Sequence, residues 1–531
     1  MGTNNSKATG TRSRGVELRS QIHGEKCWPQ VDKISPCEEA CPIHMDVPSY
    51  VIALAQARFD DALAIVRETN PFPSICGRVC HHPCEDACSR ALVDRPIAIE
   101  WLKRFVGQYE QSNGFSVEVP ERTKEQKVAI VGSGPAGLTA AHDLANMGYE
   151  VKVYEALPVA GGMLAAGIPE FMLPSDVVEK EIDYIRGLGV DIKTNIRIGT
   201  DLTMDDLWGQ GHKAVLLSTG AWRSPKLDIP GADLKGIHPA LSFLRDARIA
   251  DKIRLKGTVA VIGGGNVALD AARTALRLGA DKVFLACLES RDTMPSYEWE
   301  ILGAENEGVE MCPSLAPQRF VSHVLNKVSG IDFKKVASTS KDDAGRMQWE
   351  LAKGPDTDVH RAVATVIVAI GQVPDPSFVD GLDLGANGTF TVDTTSLATN
   401  VPGVFAAGDA VQVPGSIVGA IAEGHTAARS IDCYLSGNDP KDLEPEPLKE
   451  VYRLDDDIEI PDFLAKKDRW DMPSLTPKDA VRSFSESELG YTEQQVIEEA
   501  KRCMNCRMCA NCLFGRGQVC LETSSRLLAT E

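Results

Sequence analysis

The sequence of 531 residues lacks any apolar run near the roughly 18–20 residues that a membrane-spanning helix needs. It also lacks an excess of positive charge, since its formal net charge is −19. Nucleic acids and anionic membranes attract basic surfaces, so neither is expected as a partner. The polar start from Met1 to Gly24 contains no signal-peptide core, and we expect the protein in the cytoplasm.

Closely spaced cysteines are missing from the middle of the chain, although there are 15 cysteines in all. Cys287, Cys312 and Cys433 stand alone there, and we predict that they are buried structural thiols. Seven cysteines lie within 27–88 and five within 503–520. A disulfide scaffold is typical of short secreted proteins, which this long chain does not resemble. The clustering at both ends therefore indicates metal sites.

Thiolates spaced two or three residues apart on tight turns suit iron–sulfur clusters, which need four ligands around a compact cube. The predicted metal ligands are Cys37, Cys41, Cys76, Cys80, Cys84 and Cys88 near the N-terminus, and Cys503, Cys506, Cys509, Cys512 and Cys520 near the C-terminus. Four cysteines can also hold zinc, and that alternative remains open for the C-terminal group taken by itself.

A first glycine-rich turn follows the apolar strand that begins at Lys127. Here Gly132 permits a tight bend, Gly134 lets the backbone approach a pyrophosphate, and Gly137 allows close helix–strand packing. The next predicted strand ends at Glu155, where a carboxylate can bind ribose hydroxyls. This pattern predicts a dinucleotide-binding β–α–β unit, with the candidate binding residues Gly132, Ser133, Gly134, Pro135, Ala136, Gly137 and Glu155.

A second unit of the same kind begins at Thr258. Gly263 and Gly265 occupy its first two glycine positions, Asn266 follows, and Ala268 replaces the third glycine, which the motif tolerates. Two such units in one chain predict two bound dinucleotides, most simply FAD and a nicotinamide cofactor.

A third element is the late sequence Gly408-Asp409, which follows a short predicted strand. By resemblance to flavoproteins with two dinucleotides, this Gly-Asp pair closes over the ribityl chain of FAD. The same resemblance implies an FAD domain that is split by an inserted nicotinamide domain. A predicted helix from about Ser416 to Ser430, including Ile417, would then approach the flavin with its N-terminus, where its dipole favours negative charge.

Several further motifs are similar to those of the glutamate synthase small-subunit family, over a stretch from about Cys37 to Ser430. They are Cys37-x-x-x-Cys41-Pro, Asn70-Pro71, Gly77-Arg-Val-Cys80, Pro83-Cys84-Glu, Gly161-Gly162-Met163-Leu, Ser218-Thr-Gly-Ala221, Met294-Pro295 and Ala420-Ile-Ala-Glu-Gly424. The same module resembles parts of dihydropyrimidine dehydrogenase and ferredoxin-dependent transhydrogenases. The resemblance implies FAD, a nicotinamide site and N-terminal [4Fe–4S] clusters, and Gly162, Met163 and Gly371 complete the candidate cofactor-binding residues.

These observations predict an α/β fold class with two Rossmann-like dinucleotide-binding domains, an α-helical N-terminal iron–sulfur domain and a small C-terminal cysteine-rich iron–sulfur segment. The expected divisions are 1–118 for the helical domain, 124–245 and 373–436 for the split FAD domain, 246–372 for the nicotinamide domain, 437–489 for an acidic, proline-rich linker, and 490–531 for the C-terminal segment.

The cluster ligands depart from the family pattern. Two N-terminal clusters need eight ligands, and relatives often carry Cys-x-x-Cys before the position of Cys37, where this chain has only Cys27. Relatives may use Glu or Gln where this chain has Lys103, which is not an iron ligand, and Cys76 could replace it. The sequence therefore predicts at least one N-terminal cluster and one C-terminal cluster.

The nicotinamide unit also departs from the pattern. Relatives that use NADPH place two arginines after the second strand of this unit, where the present chain has Leu288 and Glu289. A carboxylate at this place accepts hydrogen bonds from a free 2′-hydroxyl and repels a phosphate. Glu289 therefore favours NADH, although Arg291 lies nearby.

The leading hypothesis is an NADH-dependent flavin and iron–sulfur oxidoreductase subunit that exchanges electrons with other redox subunits or a ferredoxin-like protein. No protein acid–base catalytic residue is predicted. The alternatives are an NADPH-dependent glutamate synthase small subunit and an electron-relay scaffold with a vestigial nicotinamide site. Related transhydrogenases bifurcate electrons at FAD, which a single sequence does not distinguish from simple transfer.

Overall fold

The computed structural model describes residues 33–115, 117–250, 253–323, 326–342, 347–385, 387–413, 415–443, 450–451 and 466–506. The predicted ligands Cys509, Cys512 and Cys520, together with Cys27, lie outside these residues. Every other residue predicted to bind a cofactor or a metal is described.

The helices are short in the N-terminal region and longer beside the parallel sheets. In chain order they are α1 (Pro36–Glu39), α2 (Val47–Ala55), α3 (Phe59–Arg67), α4 (Pro73–Val79), α5 (Pro83–Asp86), α6 (Ile99–Asn113), α7 (Pro135–Asn146), α8 (Met163–Ala166), α9 (Ser175–Gly187), α10 (Met204–Gly209), α11 (Ala240–Ile249), α12 (Asn266–Arg277), α13 (Glu298–Asn306), α14 (Ile417–Leu435), α15 (Pro477–Ala480) and α16 (Glu493–Ala500).

The strands lie mostly in the middle of the chain. They are β1 (Lys33–Ile34), β2 (Lys127–Val131), β3 (Glu150–Tyr154), β4 (Asp191–Lys193), β5 (His212–Leu217), β6 (Ile237–Pro239), β7 (Thr258–Ile262), β8 (Lys282–Ala286), β9 (Glu310–Cys312), β10 (Leu315–Val321), β11 (Gly330–Lys341), β12 (Met347–Leu351), β13 (Asp358–Ala362), β14 (Thr365–Val368), β15 (Val404–Ala406) and β16 (Glu450–Val451).

The N-terminal region consists of short helices joined by cysteine-bearing turns. Helices α2 and α3 pack against each other and bury Val51, Leu54 and Ile65. Helix α2 begins at Asp46, whose carboxylate accepts a hydrogen bond from the Ser49 amide (3.2 Å). Burying each large aliphatic side chain stabilises the fold by about 1.5–3 kcal/mol.

Two five-stranded parallel sheets form the body of the protein, in the orders β15-β5-β2-β3-β4 and β6-β14-β7-β8-β9. Both have almost wholly apolar central strands, as expected for parallel sheets covered on both faces. Strands β5 and β15 are neighbours in the first sheet, although all strands of the second sheet lie between them in the chain. The second unit is therefore an insertion in the first. The predicted pair of Rossmann-like units, the first split by the second, is confirmed. Strands β10 to β13 add an antiparallel sheet to the inserted unit.

The C-terminal segment returns to the N-terminal helices. Helix α16 begins with a capping box, in which the Thr492 and Gln495 side chains each accept a hydrogen bond from the other residue's amide. One buried core runs from the N-terminal helices across a face of the first sheet to Val496 of α16. The described part of the predicted linker has little regular structure and is held by ion pairs such as Arg78–Glu486 (2.7 Å). Within the described residues, no helix combines the length and apolarity needed to cross a membrane.

Candidate functional site

A cavity of about 560 Å³ opens at the carboxyl end of the first parallel sheet, where open α/β sheets bind ligands. Most of the residues predicted for the first dinucleotide line it, namely Gly132, Ser133, Gly134, Pro135, Ala136, Glu155, Gly162, Met163, Gly408, Asp409 and Ile417. Trp222 and Arg245 also line it, and no motif in the sequence pointed to them.

Three glycines shape the turn and the start of α7 beside this cavity. Gly132 has a φ of +102°, and a Cβ there would lie 2.4 Å from the Ser218 carbonyl oxygen. A Cβ on Gly137 would lie 2.2 Å from the Gly132 carbonyl oxygen, so this residue lies behind the cavity wall and permits the close packing of α7. A Cβ on Gly134 would contact nothing within 4 Å, because this residue faces the open cavity.

Glu155 joins the end of β3 to the glycine-rich turn. Its Oε2 accepts hydrogen bonds from the Ser133 amide (3.0 Å) and hydroxyl (2.6 Å), and its Oε1 accepts one from the Leu157 amide (2.8 Å). These bonds hold the carboxylate at the cavity edge. It is therefore oriented to accept further hydrogen bonds from the hydroxyls of a ribose.

The opposite wall is formed by Gly408, Asp409 and the start of α14. Gly408 has a φ of +72°, and burial raises the pKa of Asp409. Ser416 caps α14 by accepting a hydrogen bond from the Gly419 amide (3.1 Å), and Ser416 and Ile417 line the cavity. The helix N-terminus thus meets the cavity, where its dipole favours negative charge.

The second glycine-rich turn has the same geometry. Gly263 has a φ of +138°, and a Cβ there would lie 2.1 Å from the Ala369 carbonyl oxygen. Gly265 precedes α12 with open space at its Cβ position. Asn266 accepts a hydrogen bond from the Tyr297 amide through its side-chain oxygen (3.1 Å).

Gly371 lies just beyond β14, whose carboxyl end adjoins that of β7 in the second sheet. It has a φ of +113°, a conformation that favours glycine, and a Cβ there would contact nothing within 4 Å. It is therefore at the edge of the sheet where a dinucleotide is expected.

Glu289 lies beside the second glycine-rich turn, since its Oε2 would be 3.1 Å from a Cβ on Gly264. Arg291, the nearby cation, forms two hydrogen bonds with Glu298 (2.8 and 2.9 Å) and an ion pair with Glu305 (3.5 Å). The carboxylate therefore faces the turn, while the guanidinium is engaged by two other carboxylates.

A larger cleft of about 850 Å³ connects the three parts of the site. Its walls include Asn266 and Tyr297 of the inserted unit, Ser416 and Ile417 beside the first cavity, and Cys80 of the N-terminal region. Residues of both predicted dinucleotide sites and one of the predicted metal ligands thus line one cleft.

Four thiols surround the buried Lys103, and we call Cys41, Cys76, Cys80 and Cys84 the Lys103 thiol group. Burial opposes the charge of Lys103, but the neighbouring thiolates outweigh it and raise its pKa. For the thiol of Cys76, burial acts in the opposite direction and raises the pKa to about 12. The His82 amide donates a hydrogen bond to the Cys80 sulfur (3.4 Å). A buried cation and an amide donor are suited to compensate the negative charge of a thiolate-bound cluster.

The remaining described thiols of the two termini meet at a second place. Cys37, Cys88, Cys503 and Cys506 line one small, mainly apolar cavity, and we call them the two-segment thiol group. Sequence spacing predicted separate N-terminal and C-terminal sets of ligands. In the structure, two cysteines of the N-terminal set and two of the C-terminal set line the same cavity. The pairing lies beyond sequence reasoning because more than 400 positions separate Cys88 from Cys503.

Among the described residues, no group of three or more His, Cys, Asp or Glu side chains is arranged to hold a metal ion. Three of the five predicted C-terminal ligands lie outside these residues, so the zinc alternative for that group is not tested.

Three other cysteines are free thiols. Cys287 and Cys312 are buried as predicted, but Cys433 is only half-buried near the end of α14. Since Cys287 is 3% and Cys312 8% exposed, neither is open to solvent.

His81 and His82 are half-buried and line the cleft. The His82 ring lies 3.0 Å from the Glu100 carboxylate, and although burial opposes its charge, this contact raises its pKa to about 9. The His81 ring stacks on Tyr297, and the His82 ring contacts Trp299. These contacts join the N-terminal region to the inserted unit, and the sequence carried no signal for them.

Comparison with known proteins agrees with this architecture. The pyridine nucleotide-disulphide oxidoreductase family model matches residues 126–424, and the model of dihydropyrimidine dehydrogenase domain II with its 4Fe-4S cluster matches residues 20–115. A solved structure of FprA from Mycobacterium tuberculosis has the same fold, with a TM-score of 0.50 and 18% identity over 59% of this chain and 85% of that one.

Three curated proteins are similar over most of the chain. The NADP(+)-dependent formate dehydrogenase subunit beta of Moorella thermoacetica is 38% identical, covering 96% of this chain and 75% of its own. The NAD-dependent dihydropyrimidine dehydrogenase subunit PreT of Escherichia coli is 35% identical (76% and 92%). The glutamate synthase [NADPH] small chain of Azospirillum brasilense is 31% identical (79% and 91%). The chain therefore belongs to the pyridine nucleotide-disulphide oxidoreductase family, with the glutamate synthase small chains, and is an NAD(P)H-dependent oxidoreductase with FAD and iron–sulfur domains.

Proposed function

We propose that the protein is an NADH-dependent electron-transfer subunit, which passes electrons between the nicotinamide dinucleotide and a partner redox protein through [4Fe–4S] clusters. The cleft is the observation that carries this proposal, because the wall that contains Asn266 and Ile417 also contains Cys80. Bound FAD would supply the step from two-electron hydride transfer to one-electron transfer to iron.

The residues of the chain position the groups. Gly132, Gly134, Glu155 and Asp409 would hold FAD, and Gly263, Gly265, Asn266 and Gly371 would hold the nicotinamide dinucleotide. The N-terminus of α14 would favour negative charge on the flavin. The Lys103 thiol group, of which Cys80 lines the same cleft, would hold a cluster.

Glu289 supports NADH as the nucleotide. Its carboxylate lies against the glycine-rich turn, where it would accept hydrogen bonds from a 2′-hydroxyl and repel a 2′-phosphate. Arg291 is paired with Glu298 and Glu305 and is not directed to a phosphate. The similar proteins include both NADP-dependent and NAD-dependent enzymes, so the residues of this chain decide the proposal.

Stopped-flow mixing of the anaerobic holoprotein with each nucleotide tests this proposal. We expect NADH to bleach the flavin at least ten times faster than NADPH at equal, subsaturating concentrations. Glu289→Gln should weaken NADH binding by roughly tenfold, because a hydrogen bond to a charged group contributes about 1.5–3 kcal/mol. The variant should also reduce the ratio between the rates of flavin reduction by NADH and by NADPH.

Asp292→Asn is the matched control, since it removes the same charge three positions away from an exposed side chain. It should leave the selectivity unchanged. Faster reduction by NADPH than by NADH in the unmodified protein would overturn the proposed nucleotide, and a flavin that neither nucleotide bleaches would overturn the proposed function.

Nucleotide binding should also depend on pH through Asp270, which lines the cleft on α12. Burial and the charge of Glu300 raise the pKa of Asp270 to about 8, although Arg273 opposes the shift. The carboxyl is therefore neutral below about pH 8 and adds a negative charge to the cleft above it. Because the ligand is anionic, we expect its Kd to rise several-fold between about pH 7 and pH 9.

Fluorescence titration with NADH across this pH range measures the effect. Asp270→Asn should remove the rise in Kd and leave the Kd near its low-pH value. An equally steep rise in the variant would assign the pH dependence to another group.

A partner redox subunit is supported by the relatives, several of which are named as subunits of larger enzymes. Delivery of NADPH electrons to a glutamate synthase large subunit is the second candidate, favoured by the likeness to the Azospirillum small chain. Glutamate formation on adding such a large subunit, with NADPH as the preferred donor, would support the second candidate over the first.

A further inference from the structure

The two-segment thiol group joins residues from opposite ends of the chain around one cavity. Cys37 belongs to α1 and Cys88 follows α5, while Cys503 and Cys506 follow α16. Val51, Ile97 and other apolar residues also line the cavity, together with Ser35, Ser89 and Arg90. Nothing in the family match to residues 20–115 includes the two C-terminal thiols.

The sulfur atoms have the surroundings expected of cluster ligands. The Ser35 hydroxyl lies 3.1 Å from the Cys37 sulfur, and the Asn505 amide donates a hydrogen bond to the Cys503 sulfur (3.5 Å). Asn505 has a φ of +48°, which bends the backbone between Cys503 and Cys506. Hydrogen bonds to sulfur and a tight Cys-x-x-Cys turn are characteristic of iron–sulfur sites.

Arg502 fixes the C-terminal thiols against the N-terminal region. Its buried guanidinium pairs with Glu499 (2.6 Å) and Asp94 (2.8 Å) and donates a hydrogen bond to the Arg95 carbonyl oxygen (2.7 Å). The other oxygen of the Glu499 carboxylate accepts a hydrogen bond from the Trp470 amide (3.1 Å). The residue immediately before Cys503 is therefore bound on several sides by groups of the N-terminal region and the preceding segment.

Two short segments of the N-terminal region each contribute one cysteine to each thiol group. Cys37 and Cys41 are four positions apart, as are Cys84 and Cys88, and each pair has one member in each group. The two-segment thiol group is therefore the neighbour of the Lys103 thiol group. The Lys103 thiol group includes Cys80, which lines the cleft.

We propose that Cys37, Cys88, Cys503 and Cys506 together hold one [4Fe–4S] cluster, so that the C-terminal segment completes an iron–sulfur site of the N-terminal region. Each thiol releases its proton to solvent as its sulfur bonds to iron. The inference does not depend on which nucleotide reduces the flavin. It differs from the separate C-terminal cluster that the sequence predicted, because half of its ligands come from the other end of the chain.

A double-mutant cycle tests this assignment in the anaerobically purified full-length holoprotein. Iron and acid-labile sulfide are measured per FAD in Cys37→Ala, in Cys503→Ala and in the double variant. We expect each single variant to lose about four iron atoms and the double variant to lose no more than either. After reduction with dithionite, all three variants should lack the same electron paramagnetic resonance signal, which the unmodified protein shows.

Cys433→Ala is the control, because this thiol lies outside both groups, and it should lose no iron. Additive loss of about eight iron atoms in the double variant would overturn the proposal, since it requires two separate clusters. The proposal would also be overturned if Cys37→Ala lost an electron paramagnetic resonance signal that Cys503→Ala kept.

A second measurement uses the unmodified protein and does not depend on the folding of any variant. Iodoacetamide labelling with mass spectrometry should find all four thiols protected, and removal of iron with a chelator should expose them together. Labelling of Cys503 and Cys506 while Cys37 and Cys88 remain protected would contradict a shared cluster.

Discussion

Replacement of Gly265 by valine is expected to weaken flavin reduction by NADH strongly while FAD and iron remain bound. Gly265 has an extended backbone conformation (φ −90°, ψ 172°) that valine adopts without strain, and a Cβ there meets no protein atom within 4 Å. The added methyl groups would instead occupy the space where the backbone approaches the pyrophosphate. We expect a loss of roughly 100-fold in NADH affinity, about 2.7 kcal/mol.

Stopped-flow reduction over a range of NADH concentrations measures this loss, and dithionite should still reduce the flavin and the clusters. Gly209→Val is a suitable control, because it introduces the same side chain at an open position on the exposed end of α10. Unimpaired reduction of Gly265→Val by NADH would show that the nicotinamide dinucleotide binds elsewhere.

The corresponding change in the first unit, Gly134→Val, is expected to yield a protein without FAD that still contains iron. Gly134 also precedes its helix in an extended conformation with open space at its Cβ position. Valine there fills the part of the 560 Å³ cavity nearest the N-terminus of α7. We expect flavin affinity to fall by roughly 100-fold or more, enough to lose FAD during purification.

Flavin content per chain, measured by absorption after heat release, reports this change. The iron content and the thermal unfolding of the apoprotein serve as controls for folding, and Gly209→Val should retain full flavin. Normal flavin occupancy in Gly134→Val would mean that the cavity is not the flavin site.

The dinucleotide units follow from short-range sequence signals. The turns at Gly132 and Gly263 require positive φ, and the strands before them are almost continuously apolar. Both features can be recognised from consecutive residues. Such features depend on neighbours in the chain, and this is why sequence reasoning placed them within a few residues.

The arrangement of the thiols depends on distant contacts and could not be predicted. Sequence spacing grouped Cys503 with the cysteines that follow it, because nothing local reveals the pairing of Arg502 with Asp94. The burial of Lys103 among four thiols and the stacking of His81 on Tyr297 were missed for the same reason. The proposed ligand sets and domain limits outside these contacts remain predictions.

Anaerobic addition of NADH to the holoprotein, followed by absorption and by electron paramagnetic resonance of frozen samples, tests the central claim most directly. The account predicts that flavin absorption is lost first and that a reduced iron–sulfur signal then appears, with neither change in Gly134→Val. A reduced cluster signal that appears without FAD, or a bleached flavin whose electrons never reach iron, would contradict it.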